Sequence, residues 1–152
     1  MPQSLAKVIV HIVYSTKSRE PWLEDKTIRT ELFAYNASTL SSSMDCPVIL
    51  IDGVEDHIHI LCLLSRKFSI MDVIKKSKTE TSKWLKRKGP ELRNFQWQAG
   101  YGIFSVSESK MKQTRRYIAN QEEQHKRFSF KDELRELCQR YGVSIDERYV
   151  WD

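Results

Sequence analysis

The sequence predicts an α+β domain, a ferredoxin-like antiparallel sheet with helices on one face and a tyrosine-bearing helix reaching the other. Three observations predict it. Short β-branched and aromatic runs alternate with longer stretches of helical period, in the order β-α-β-β-α-β-α-α. The first six of these elements match a split β-α-β arrangement. At 152 residues, 40% hydrophobic and 30% charged, the chain is long enough for one genuine core and too short for two comfortable ones.

Residues 8–14 are β-branched and aromatic and read as a first strand. Pro21 and Trp22 break the chain, and residues 23–44 then place Ile28, Leu32, Phe33 and Tyr35 at helical spacing. Residues 48–51 are a second strand. Asp52-Gly53 begins a short turn, and the strand carrying His57 and His59 closes a hairpin. Ser69 suits the N-cap of a helix with Ile70, Val73, Ile74, Trp84 and Leu85 on a 3.6-residue period, ended by Gly89-Pro90. A fourth extended region spans 95–106, with Gly100 and Gly102 suggesting a bulge or bend. Ser105 and Glu108 have capping-box spacing for a helix through Tyr117 to about His125. Residues 130–141 form a final short helix ending at Gly142, followed by an aromatic tail. No internal repeat, linker or low-complexity segment interrupts this order.

The net charge of +5 permits a polyanionic partner without requiring one. Cys46, Cys62 and Cys138 lack C-x-x-C spacing. An odd, scattered set fits buried free thiols in a reducing cytosol better than a disulfide framework. The first residues are expected to be neither a signal peptide nor a membrane span.

Two short polar motifs stand out. His57 and His59 are two apart on a strand and share a face. Tyr117 and Gln121 are four apart on a helix and share a face. If those faces meet, they make a divalent-metal site beside a phenolic hydroxyl, which is chemistry for cutting and rejoining a phosphodiester. Two imidazoles and a carboxamide oxygen suit Mg²⁺ or Mn²⁺ with open positions, and lack the thiolates or third histidine of a closed zinc site. Asp52, Glu55 and Asp56 sit just ahead of the histidines and could add a ligand or orient an imidazole. His11, with no companion two residues away, reads as structural, and His125 as a surface or helix-end residue. Lys110, Lys112, Arg115 and Arg116 precede Tyr117; cations there would favour the phenolate and hold a phosphate. Lys75, Lys76, Lys83 and Lys86 form part of a basic helix that reads either as a phosphate-tracking face or as a solvated surface. Trp97, Tyr101 and Phe104 could stack on unpaired bases or lie in the core.

On these residues the chain resembles the HUH-superfamily single-tyrosine transposases of bacterial insertion sequences, including their repeat-associated relatives. The likeness rests on residues 56–61, 97–102, 104–107 and 116–121, in matching order and spacing, and covers about residues 5–130. It implies that residues 1–152 are a single domain of this family, with about 130–152 a helical extension of no assigned role. It also implies that His57, His59 and Gln121 hold the metal and that Tyr117 is the nucleophile. The expected reaction leaves a 5′-phosphotyrosine and a free 3′-hydroxyl on single-stranded DNA. The bond energy is kept, so no nucleotide is needed, consistent with the lack of a P-loop. Lys75, Lys76, Lys83, Lys86, Arg115 and Arg116 are the expected DNA contacts. The partners implied are single-stranded or hairpin DNA and a second copy in a homodimer, with no membrane, in the cytoplasm of a bacterium or archaeon at the nucleoid. Two other readings share the pattern: a structured nucleic-acid-binding module that does not cut, and a replication initiator or relaxase-type nickase. Small size and the lack of a helicase segment count against the latter.

Overall fold

Every residue of β1 (Ile9–Ser15) is buried, as a strand covered on both faces must be. The computed structural model describes residues 2–151. β1 pairs antiparallel with β3 (His57–Leu63) on one side and with β4 (Gly102–Val106) on the other. β2 (Val48–Gly53) pairs antiparallel with β3, so the sheet runs β2-β3-β1-β4. This is the predicted ferredoxin-like order.

The pleat sorts side chains by parity. Val10, Ile12, Tyr14, Ile58, Ile60 and Cys62 face α1 (Lys26–Ser43) and α2 (Ile70–Lys86), and with Leu32, Leu40, Val73 and Leu85 they form the main core. Ile9, His11, Val13, His57, His59 and Leu61 occupy the other parity. That face is covered by α3 (Met111–Ala119), the single turn α4 (Gln121–Gln124) and α5 (Phe130–Arg140). Ile118 packs on Ile9, Leu61 and Val106, and α5 inserts Phe130, Leu134 and Leu137 against Val13 and Phe104. All three cysteines are free and buried, as expected. A buried polar knot ties the helical layer to the sheet: Tyr14 Oη lies 2.7 Å from Ser77 Oγ, which donates to Asn36 Oδ1 at 2.9 Å. Among the described residues no buried side-chain polar atom lacks a partner.

Four local expectations are corrected. β2 runs on through Gly53, and the turn is residues 54–56. A side chain at Gly53 would collide with the His57 carbonyl, so the hairpin closes only on glycine. Residues 95–101 are not strand. Trp97 forms an isolated bridge with Thr16, where Gln98 N donates to the Ser15 carbonyl and Lys17 N to the Gln96 carbonyl, both at 2.9 Å, and the Lys78 ammonium takes up the carbonyls of Gln98 and Gly100. Ser105 lies inside β4, and the following helical turn starts after Ser107. The tyrosine helix also stops at Ala119, with Asn120 as a break before α4.

Candidate active site

β3 delivers His57 and His59 to one buried face, both fully enclosed. Each ring is held from behind. His57 Nδ1 lies 2.7 Å from Asp56 Oδ1, and His59 Nδ1 lies 2.7 Å from Nε2 of His11 on the neighbouring strand. Partners on Nδ1 turn both Nε2 atoms toward α4 and α5, the arrangement by which outer groups fix an imidazole for work on its far side. Gln121 follows the Asn120 break and reaches in, its Oε1 3.2 Å from His57 Nε2. α4 is itself moored: Arg29 and Lys26 of α1 both pair with Glu122, at 3.2 and 3.1 Å.

The centre of the cluster is a carboxylate from the C-terminal extension. Glu133 Oε1 lies 2.8 Å from His59 Nε2, 3.1 Å from His125 Nε2 and 3.2 Å from His57 Nε2. Glu133 Oε2 accepts from the Tyr117 hydroxyl and, at 3.3 Å, from Gln121 Nε2. Tyr117 accepts in turn from Gln124 Nε2 at 3.2 Å. One carboxyl group therefore joins the phenol to three imidazoles. His57, His59, His125 and Glu133 offer donor atoms all within 4.8 Å of one another, a set that could bind a metal.

Burial opposes charge on every member, and the carboxylates decide which one carries it. Burial lowers His57, but hydrogen bonds to Asp56 and Glu133 outweigh it and raise the ring to about 9. His59 is lowered by burial. Burial and the neighbouring His59 push His11 down to about 3, so it stays neutral. Burial alone would raise Glu133, yet the histidines around it hold its carboxyl far below the usual range. Tyr117 moves the other way. Burial and the Glu133 charge push its phenol well above its ordinary value. The expected lowering by nearby cations is overturned, because a carboxylate touches the hydroxyl and no cation does. Lys110 lies only along the wall of a pocket it shares with Tyr117, His11 and Arg140.

The sequence-predicted residues sort clearly. His57, His59, Gln121 and Tyr117 come together. Arg116 lines a shallow hollow beside Tyr117, and Arg115 is exposed. Lys75 and Lys86 line a groove on α2, Lys76 pairs with Glu80 at 3.7 Å, and Lys83 lies off that groove. His11 and His125 belong to the cluster rather than to isolated structural or surface positions. Glu133 was missed entirely. Only its place on the inward stripe with Phe130, Leu134 and Leu137 could have signalled a carboxylate on a buried face.

Fold and cluster together define a ferredoxin-like domain with a histidine-rich centre and a tyrosine at its rim. Residues 4–121 match the family described as transposase IS200 like, and the chain belongs to that family. Its match ends at Gln121, so His125 and Glu133 lie beyond it. A candidate transposase from Deinococcus radiodurans R1 shares the fold with a TM-score of 0.59 and 21% identity, over 80% of this chain and 95% of that one. A REP-associated tyrosine transposase bound to a REP hairpin aligns with a TM-score of 0.53 and 11% identity, over 78% of this chain and 67% of that one. A search of curated proteins returned no match. Among the described residues no helix is long and apolar enough to cross a membrane.

Proposed function

We propose that residues 1–152 act as one single-tyrosine transposase domain that cuts and rejoins single-stranded DNA at hairpin ends through a 5′-phosphotyrosine intermediate. The observation that carries this reading is the meeting of Tyr117 with His57, His59 and Gln121 around Glu133. Each group suits its role. Tyr117 is the nucleophile: its oxygen attacks the scissile phosphorus, the P–O3′ bond breaks, and the phenolic proton balances the 3′-hydroxyl that leaves. A DNA 3′-hydroxyl reverses the step.

The donor set fits a divalent cation. Three imidazole nitrogens, a carboxylate and a carboxamide oxygen converge, and two of the imidazoles are buttressed on their far nitrogens. The ion expected from the family likeness is Mg²⁺ or Mn²⁺; His125 supplies the third histidine that the sequence-predicted set lacks, so the set of three imidazoles and a carboxylate also suits Zn²⁺. Such an ion would polarise the scissile phosphate and offset the Glu133 charge that keeps the phenol protonated. The protein's own part is to hold Tyr117 against Glu133, to keep His11 neutral behind His59, and to exclude water with Phe130, whose ring centroid is 4.7 Å from that of His57.

The site is complete within one chain, which supports assembly in cis. A homodimer, which the family likeness implies, would then carry two whole sites. One observation favours a second reading, a hairpin-binding module that no longer cuts: Glu133 occupies the centre and holds the phenol in its un-ionised form. A single experiment separates the two. Wild-type protein incubated with hairpin-ended single-stranded DNA and Mn²⁺ should form a covalent adduct stable to denaturing electrophoresis, and Tyr117→Phe should form none. No adduct with the wild type, or an adduct with the Phe variant, would defeat the transposase mechanism.

A further inference from the structure

The turn α4 has nothing apolar with which to hold itself in place. Its residues, Gln121, Glu122, Glu123 and Gln124, carry no hydrophobic side chain, and a single helical turn is too short to be stable alone. Nor does α3 position it, because Asn120, at φ −100° and ψ 21°, leaves the helical backbone just before Gln121. Yet Gln121 reaches His57 from this turn, and His125, which reaches Glu133, directly follows it. Two of the groups that converge on the centre therefore depend on a turn that hydrophobic burial cannot dock. The hold has to be polar, and it comes from α1.

Glu122 meets two cations of α1, and they are not equal. Lys26 keeps 72% of its side chain in solvent, where an ion pair at 3.1 Å contributes little. Arg29 keeps only 9%, and its fork is fixed at both tips. Nη1 donates to the Leu23 carbonyl at 2.6 Å, and Nη2 donates to Glu122 Oε1 at 3.2 Å. The Leu23 end leads to the histidines. Leu23 N donates to the Glu55 carbonyl at 2.9 Å, and the next residue, Asp56, holds His57 Nδ1 at 2.7 Å. One buried guanidinium ties the turn behind His57 to the turn that delivers Gln121.

We infer that Arg29 is a positioning residue of the cluster: through Glu122 it sets how far Gln121 and His125 stand from His57, and so it governs affinity for a divalent cation without touching the ion. It lies on α1, apart from every stretch on which the family likeness rests. Removing the pair leaves every donor atom in the chain but frees α4 from its reference to the hairpin turn. Groups that bind an ion well only when held in place then lose affinity. The inference rests on the reading of the cluster as a divalent-cation site.

The test is calorimetric titration of the DNA-free protein with Mn²⁺ and, separately, with Zn²⁺, at a temperature where urea unfolding shows every variant folded. Outer partners of a ligand carry effects of about 10- to 100-fold, and Arg29 stands one step further out, so Arg29→Ala and Glu122→Gln should each weaken binding at least about fivefold. Glu122 is half-exposed, which keeps its variant informative should Arg29→Ala fail to fold. Arg29→Lys keeps a charge on Glu122 without the fork and should recover part of the loss, while Lys26→Ala should cost less than about twofold. The double variant Arg29→Ala/Glu122→Gln should bind no worse than the weaker single one, because both remove the same link. Unchanged ion affinity in both single variants, even with a lowered urea midpoint, would overturn the inference by leaving Arg29 a purely structural role. So would fully additive losses in the double variant, or a wild type that binds neither ion. Failure here is distinct from failure of the catalytic reading. Adducts with an ion affinity indifferent to Arg29 and Glu122 remove only the positioning role, whereas Arg29-dependent ion binding without adducts removes only the chemistry.

Discussion

At the scale of single residues, the surprise is how few groups hold the centre together. Glu133 touches all three imidazoles and the phenol, and His125 enters from the turn that follows α4. If they are ligands, His125→Ala and Glu133→Gln should each weaken Mn²⁺ binding by tenfold or more in calorimetric titration, because even outer partners of a ligand carry effects of about 10- to 100-fold. Unaltered Mn²⁺ affinity in both would take them out of the donor set. For His57, His59 and Gln121 the expectation is sharper. Alanine at any of them should cut DNA cleavage by orders of magnitude and leave hairpin binding nearly intact, as gel shifts run beside the cleavage assay would reveal. His57 and His59 were legible because a spacing of two puts them on one strand face, whereas Tyr117 and Gln121 meet the histidines even though Asn120 breaks the helix their spacing assumed. His11 and His125 were not legible, since nothing local reports that a ring on the neighbouring strand, or one past a helix break, lies within hydrogen-bond reach.

At the scale of elements, α5 decides the character of the site. It brings Glu133 inward only because Phe130, Leu134 and Leu137 dock on Val13 and Phe104. Burying such side chains contributes about 1.5 to 3 kcal/mol each. Leu134→Ala should therefore cost about 2 to 5 kcal/mol in urea unfolding and loosen Glu133 with it. A loss below about 0.5 kcal/mol would mean that α5 is not firmly docked. The tail reinforces it: the Trp151 ring lies 5.0 Å from the Arg135 guanidinium and 5.2 Å from the Lys131 ammonium. Ser69, read correctly as a cap, accepts from Asp72 N at 3.0 Å, and Ser69→Ala should cost about 1 kcal/mol. Capping was legible there because Ser69 has no other task. Ser105 failed as a cap because its backbone is paired in β4 opposite Val10, and strand pairing overrides a local capping preference.

At the scale of the whole molecule, the proposed assembly of Tyr117 with His57, His59 and Gln121 of the same chain makes a mixing experiment decisive. Tyr117→Phe protein combined with His57→Ala protein should give no adduct, since neither chain carries both halves. Recovery of adduct in the mixture would show that the tyrosine of one copy serves the histidines of another. Bulk electrostatics gives a second outcome. With a net charge of +5, hairpin affinity should fall steeply with salt. Of the four lysines expected to track phosphates, Lys75 and Lys86 should carry the slope, while Lys76, paired with Glu80, and Lys83 should contribute little.

The sequence by itself determined the order of the strands and main helices, the parity of each strand, and that His57 shares a face with His59. These follow from periods of 2.0 and 3.6 residues, which are local properties of the chain. Tertiary structure alone decided that Asn120 interrupts the tyrosine helix, that residues 95–101 join the sheet only through the bridge of Trp97 to Thr16, and that Glu133 arrives from 16 residues beyond Tyr117 to hold the phenol protonated. The physical reason is that charge state and contact depend on which groups share a buried space. A lysine or arginine two turns away along a helix counts for less than one carboxylate brought against the hydroxyl by the packing of three apolar side chains.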